Sequence, residues 1–507
     1  MKKNESGNHK IFFYVLEDNP YYAFLFSRLI KKAIKEDPKS FHKIYPCYGI
    51  KFKESNLSKY PKWAKKLQLK LRYFNQERRR FKQVSKLMRK FLSRNELSKV
   101  AFASPYTWLK YLFLASFCNN LRLVQSKTDS FIEELQLGQI EIGDLLIDSY
   151  IRYSGSANYI KGDSFNKDLI VRAKALYMMY SAIPNNQYLV VAYSTYIQHG
   201  VPLRTALAQK STGISFGDYQ IFYKLHTCEK NKKPSHLPSH SEFSNEKAAS
   251  SLSLSIIANA RTSLESRING IYDKTMSYMN KDCLPQVLSN QNSLRDSVVM
   301  YLHDFFDSPH LYEWMLFTDF WDWAYSTIDF CAKNHIELAI KPHPNQFKES
   351  EYALMELTDI FKTEKCIRWL DQSISNPDIL SLSPSLITTV YGSIAAEATY
   401  AGIKVLLAGD HPGRNFRVGY IAKSKADYFE CIRDSSRIEV GNAIDCINLT
   451  ALNYEPSYSQ INQSVLSKFS LSFSDISNNP SLYQTESAVE HIDHEISELY
   501  VKLEAYD

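Results

Sequence analysis

Between residues 298 and 408 the chain repeats one pattern: a short apolar run, a helical stretch, then another apolar run. The runs are Val298 to Leu302, Glu337 to Ile340, Leu386 to Val390 and Lys404 to Ala408; the helical stretches are Trp314 to Asn334, Glu351 to Lys362 and Ser393 to Ala401. Strands without polar alternation are buried on both faces, and helices that recross the sheet make neighbouring strands parallel. The alternation therefore predicts a doubly wound, Rossmann-like α/β lobe. Ligands of such sheets bind beyond the carboxyl ends of the strands, so the residues directly after each run are where chemistry is expected.

A chain of 507 residues is too long for one core, since single cores rarely grow past about 250 residues. A second α/β lobe is expected upstream, opened by the strand KIFFYVL (10–16) and the helical stretch YYAFLFSRLIKKAIKE, and continued by the helix Phe165 to Tyr180 and the strand YLVVAY (188–193). The expected division is an N-terminal lobe over 1–290, a Rossmann-like lobe over 291–440 and a helical tail over 441–507. Two segments of the first lobe stand apart. Residues 63–99 form a basic helical pattern carrying Arg78, Arg79, Arg80, Lys82, Lys86, Arg89 and Lys90, and residues 229–255 are rich in Ser, Lys, Pro and His, which predicts a surface insertion. The basic pattern reads either as a solvated helix face or as a contact for anionic lipid headgroups or an anionic polymer.

Composition narrows the class. The net charge of +7 is modest for this length and does not call for nucleic acid. The eight cysteines include no C-x-x-C pair and no Cys/His cluster at zinc spacing, which excludes a disulfide framework and structural zinc and points to reduced cytoplasmic thiols. Glu17 and Asp18 break the first apolar stretch before a signal sequence could form, and no run approaches the roughly 20 apolar residues of a membrane span. A cytoplasmic protein is expected.

Four strand-end loops carry the candidate chemistry. After Glu337 to Ile340 comes Lys341-Pro342-His343-Pro344, in which two prolines fix the backbone around an imidazole able to donate to a phosphate. After Leu386 to Val390 comes Tyr391-Gly392-Ser393, where glycine permits a tight turn and serine suits the N-cap of a helix whose first amides would attract an anion. Glu397 follows one turn later on the face of Ser393, a position from which a carboxylate could accept from ribose hydroxyls. After Val298 to Leu302 the chain places His303 and Asp307, and after Lys404 to Ala408 it places Arg414, all candidates for substrate or phosphate contact. G-x-G-x-x-G is absent, which argues against a nicotinamide dinucleotide.

The segments IKPHPN and YGSIAAEATYAGIKVLLAG resemble the donor-binding lobe of bacterial capsule and surface-polysaccharide glycosyltransferases of the GT-B fold, a group with capsular Kdo transferases and bacterial sialyltransferases. The likeness covers about residues 295–412 and extends more weakly to GDLLIDSYIRYSG (143–155) and YIQHGVPLRTAL (196–207). It implies two Rossmann-like lobes facing across a cleft, with a C-terminal helix crossing back. It further implies a nucleotide-sugar donor, CMP-linked before UDP- or GDP-linked, and contacts from His343 and Ser393 to its phosphate and from Glu397 to its ribose. The acceptor it implies is a growing polysaccharide or lipid-linked glycan at the inner face of the cytoplasmic membrane. The acidic D/E-D/E-G motif of the sialyltransferases and the Q-x-D motif of the Kdo transferases are absent.

Glycosyl transfer needs a stabiliser for the departing phosphate and, when inverting, a base for the acceptor hydroxyl. Asp144 and His199 are the candidate bases of the first lobe, with Asp148 and Arg204 beside them in sequence. No metal and no cofactor is expected, because imidazole, hydroxyl and helix amides suffice for the phosphate. A nucleotide-sugar epimerase or a glycerophosphotransferase would use the same phosphate site, and a non-catalytic polysaccharide assembly subunit would lack nucleotide affinity.

Overall fold

The computed structural model of the protein describes residues 10–17, 19–47, 78–104, 106–117, 123–124, 135–216, 223–227, 244–271, 294–312, 314–344, 346, 348–453 and 486–504. They form two compact units: the first comprises Met1–Ser149, Gly162–His236 and Gln460–Asp507, the second Tyr150–Lys161 and Leu237–Ser459.

In the first unit the strands are β1 (Ile11–Leu16), β2 (Phe41–Pro46), β3 (Val100–Phe102), a small antiparallel sheet of β4 (Leu123–Val124), β5 (Gln136–Leu137) and β6 (Ile140–Glu141), then β7 (Tyr188–Val191), β8 (Thr212–Ser215) and β9 (Lys224–His226). Its main sheet has the order β3-β2-β1-β7-β8-β9, parallel except for the pairing of β9 with β8. The helices are α1 (Pro20–Glu36), α2 (78–91), α3 (Arg94–Leu97), α4 (Tyr106–Phe117), α5 (Gly143–Ser154), which leads into the second unit, α6 (Ser164–Ser181) and α7 (Tyr196–Ala208). α1 starts where Asn19 accepts from the Tyr21 amide and Pro20 presets the first turn. Stacked rings fill the core: Phe12 lies on Tyr188 with centroids 4.6 Å apart, and Tyr14 is fully buried.

The second unit holds α8 (Asn245–Ser251), α9 (Leu254–Ile268), β10 (Val298–Tyr301), α10 (Phe320–Lys333), β11 (Leu338–Lys341), α11 (Lys348–Ile360), β12 (Ile367–Trp369), α12 (Asn376–Ser381), β13 (Leu386–Thr389), α13 (Ile394–Tyr400), β14 (Val405–Leu407), β15 (Tyr420–Ile421), α14 (Lys425–Arg433) and α15 (Ala443–Asn453). Its sheet is parallel throughout, ordered β12-β11-β10-β13-β14-β15. Both main sheets thus follow the 3-2-1-4-5-6 order of a Rossmann fold, each reversing direction once, between β1 and β7 and between β10 and β13. A last helix, α16 (Glu486–Glu504), returns to the first unit, where it buries Ile492, Ile496, Leu499 and Leu503. Arg28 of α1 holds Asp493 of α16 in a forked ion pair, with Nε donating to Oδ1 at 2.7 Å. Two Rossmann-ordered units and a returning helix are the connectivity that the resemblance implies.

Three expectations change. The second unit begins at residue 237 instead of 291 and runs to Ser459 instead of 440, because α8 and α9 pack with α13 and α15 around a shared core containing Ala248, Leu264, Cys446 and Leu449. The stretch 244–255, expected as insertion, is helical where described: Ser244 and Ser253 cap α8 and α9, and Ala248 and Leu252 are buried. The helix expected from Trp314 begins only at Phe320, since Asp319 caps it by accepting from the Asp322 amide and Met315 bridges to Gly409. Residues 63–77 of the basic pattern and 229–243 of the insertion lie outside the described residues. Among the described residues no helix is long and apolar enough to cross a membrane.

Candidate functional site

The residues after β10, β11, β13 and β14 meet at the carboxyl edge of the second unit's sheet. His303 follows β10 and bridges the point where strand order reverses: the Tyr391 amide, just past β13, donates to its Nε2 at 3.1 Å, and Thr389 Oγ1 lies 3.2 Å from the same atom. An amide can only donate, so Nε2 is unprotonated and the neutral ring carries its hydrogen on Nδ1. The ring stacks on Phe320 with centroids 4.5 Å apart. Burial, followed by the neighbouring His343 and His411, pushes the His303 pKa down to about 3. Three imidazoles from three different loops therefore converge here.

The Pro-His-Pro loop is fixed by Gln372, which the sequence did not single out, and by Lys341, whose ammonium was expected at a phosphate and is instead spent within the protein. Lys341, the last residue of β11, is buried, and its ammonium donates to the Gln372 carbonyl at 2.7 Å. The Gln372 side-chain amide donates in turn to the carbonyls of His343 and Pro344, both at 2.9 Å. Lys341 thus clamps the loop after β12 beneath His343. Around the β13 loop, His411 accepts from the Gly413 amide through Nδ1 at 2.9 Å, which leaves its Nε2 hydrogen for the Gly392 carbonyl at 3.4 Å. A Cβ on Gly392 would stand 2.7 Å from Thr389 Oγ1, so close approach, and not a left-handed backbone, keeps glycine here.

Several candidates differ from expectation. Ser393 is exposed at the head of α13 with helical backbone angles and makes no side-chain capping bond. Glu397 is buried and engaged within the protein: Asn376 Nδ2 donates to its Oε2 at 3.0 Å and Arg267 lies 3.8 Å from Oε1. Its face of α13 packs against α9 and α12, and burial raises its pKa against the pull of Arg267 and Asn376. Arg414 pairs with the buried Asp410 at 3.1 Å, so its charge is already balanced. Asp307 is exposed, accepts from the Ser308 amide at 2.9 Å, and has His343, Arg152 and Asp304 as charged neighbours.

In the first unit Asp144 is not placed as a base. Arg204 grips both of its oxygens, at 2.7 and 2.6 Å, and also donates to the Glu141 carbonyl at 2.6 Å, tying α7 to the start of α5. Asp148 is buried one turn further along α5. His199 lies elsewhere, in the first turn of α7 beside the reversal between β1 and β7. Its Nε2 is 3.6 Å from Cys47 Sγ, past the end of β2, and 3.9 Å from Glu17 Oε2, past the end of β1. The turn into α7 is strained, with Tyr196 at φ 58°, a left-handed conformation uncommon for a bulky residue. Glu17 and Cys47 carried no sequence signal beyond following a strand. Among the described residues no group of three His, Cys, Asp or Glu could hold a metal ion.

The neutrality of His303 has a measurable sign. With a pKa near 3 in the folded chain, against the ordinary 6.5, it takes up a proton on unfolding between about pH 6.5 and pH 3 and so costs stability as pH falls through that range. Asp319, raised to about 6 by burial, acts oppositely between roughly pH 6 and 4, and His42, also near 3, acts in the same direction as His303. Comparing variants isolates the one group: the fall in Tm between pH 7 and pH 5 is expected to be smaller in His303→Gln than in the unaltered protein.

No protein-family model matches the chain, and no curated protein matches it. Solved structures with some likeness include Thermosulfurimonas dismutans KpsC, a beta Kdo 2,4 transferase, at 12% identity over 52% of this chain and 78% of that one with a TM-score of 0.34. Anabaena Alr3699/HepE in complex with UDP-glucose shares 13% identity over 91% and 100% of the two chains with a TM-score of 0.23. S. aureus MnaA with UDP shares 10% over 91% and 96% with a TM-score of 0.26. All lie below 0.5, so the assignment of fold rests on the strand orders above.

Proposed function

We propose that the protein is a glycosyltransferase that moves a sugar from a nucleotide-activated donor, a CMP-sugar before a UDP- or GDP-sugar, onto a surface polysaccharide or its lipid-linked precursor at the inner face of the cytoplasmic membrane. One observation carries the reading: three strand-end histidines converge at the switch point of the second unit's parallel sheet, around the Gly392 turn. That is where doubly wound sheets take phosphorylated ligands. In this reading His343 donates to the donor's phosphate, the exposed Ser393 hydroxyl adds a second donor, and the buried Lys341 together with the exposed Gln372 sets the height of His343 against the sheet. Preorganised donors aimed at a departing phosphate stabilise charge that grows in the transition state.

The base is assigned to His199 in preference to Asp144, because a carboxylate gripped at both oxygens by an arginine is a poor proton acceptor. His199 would remove the proton of the acceptor hydroxyl as that oxygen attacks the anomeric carbon and the sugar–phosphate bond breaks. Glu17 at 3.9 Å would stabilise the imidazolium so formed.

Thermal-shift measurements with CMP, CDP, UDP and GDP test the reading, because a ligand that binds only the native state raises its Tm. One nucleotide is expected to raise Tm by several degrees at millimolar concentration. The absence of a shift with all four contradicts a nucleotide donor and favours an assembly subunit.

A further inference from the structure

We infer that the α2–α4 face of the first unit is a docking surface for an anionic phospholipid bilayer. α4, with the sequence YTWLKYLFLASF, is too apolar to be an ordinary surface helix, and it packs on α6. Its exposed residues recur at helical spacing: Tyr106, Leu109, Lys110, Phe113 and Leu114, with Phe113 64% and Tyr106 57% exposed. Positions i, i+3, i+4, i+7 and i+8 form one continuous stripe along the helix. Contiguous exposed apolar surface of this kind on a folded unit marks an interaction site, whereas scattered exposed residues do not.

The surroundings of the stripe identify the occupant. α2 turns Phe81, Val84, Leu87, Met88 and Phe91 inward and leaves Arg79, Lys82, Lys86, Arg89 and Lys90 exposed, with no acidic residue from 78 to 92. The two elements adjoin: Arg78 donates to the Tyr106 hydroxyl at 2.9 Å, and Arg89 lies 4.1 Å over the ring of Phe102, which leads into α4. An aromatic and aliphatic stripe beside a row of cations combines shallow insertion into the acyl boundary with attraction to negative headgroups. A soluble polyanion would use the cations and gain nothing from Phe113 or Leu109, and an uncharged apolar partner would gain nothing from the cations. The surface is independent of the proposed reaction, and its occupancy can be read without turnover.

The test is co-sedimentation of the full chain with vesicles of phosphatidylcholine alone and of phosphatidylcholine with equimolar phosphatidylglycerol at 0.1 M salt, with dextran sulfate as a soluble polyanion for comparison. Binding is expected to the anionic vesicles and not to the neutral ones. Lys82→Glu with Lys86→Glu should weaken it by at least about 25-fold, taking about fivefold per basic residue. Phe113→Ser should weaken it by about tenfold, the loss of one large inserted side chain, and leave dextran sulfate binding unchanged. All the replaced side chains are exposed, so Tm should stay within about 2 °C of the unaltered protein. Failure to bind anionic vesicles overturns the inference. Vesicle binding that Phe113→Ser does not change also overturns it, and assigns the face to a soluble polyanion.

Discussion

His343→Ala is expected to lower kcat/KM for sugar transfer by about 10²–10³-fold, the usual cost of removing one preorganised donor to a leaving group, with a Tm close to that of the unaltered protein. The two halves of the expectation have separate causes. The loop is held by its prolines and by Gln372, whose amide binds the carbonyls of His343 and Pro344 and not the imidazole. Removing the ring should therefore leave the backbone in place. The catalytic loss follows if the ring meets the phosphate only as charge develops, in which case kcat falls more than KM rises. Steady-state kinetics with the donor found by thermal shift checks this, and a loss confined to KM would demote His343 to ground-state binding. Gln372→Ala is a useful companion, since it frees the loop while keeping the imidazole. A partial loss there supports positioning through Gln372, and full activity excludes it.

What the sequence disclosed depended on how local each cause was. The strands of the second sheet were legible because Val298–Tyr301, Leu338–Lys341 and Leu386–Thr389 are buried along their whole length, which shows in the chain as short runs without polar alternation. Their carboxyl ends then located His303, His343 and Gly392 without further information. The returning helix was expected from the resemblance alone, and the structure buries its Ile492, Ile496 and Leu499 on the first unit. Partnerships across long stretches of chain were not legible. Glu17, Cys47 and His199 meet only because β1, β2 and β7 are neighbours in the sheet, and Gln372 reaches His343 only because β12 lies beside β11. Glu397 shows the opposite error. Helical spacing put it on the face of Ser393, but α13 is so short and so buried that one turn carries that face from the surface into Arg267 and Asn376. Periodicity describes a helix and not what surrounds it.

Arg204→Met is expected to destabilise the first unit by about 3–5 kcal/mol, the cost of leaving one partner of a buried ion pair uncompensated, and to lower Tm by about 10 °C. Arg204 and Asp144 are both largely shielded from water, and the arginine also satisfies the Glu141 carbonyl, so its removal strands two acceptors. Asp144→Leu combined with Arg204→Met should be much less destabilised than the sum of the single changes, since a buried pair can be exchanged for apolar side chains at small cost. The same residues separate two readings of Asp144. As the anchor between α5 and α7, Asp144→Asn loses stability but, in the fraction that remains folded, turns over at close to the normal rate. As the catalytic base, the same variant would lose about a thousandfold in kcat with less change in Tm. Urea unfolding and single-turnover kinetics on one preparation distinguish them. The bidentate grip at 2.6 and 2.7 Å favours the first, because both carboxylate oxygens already accept from the guanidinium.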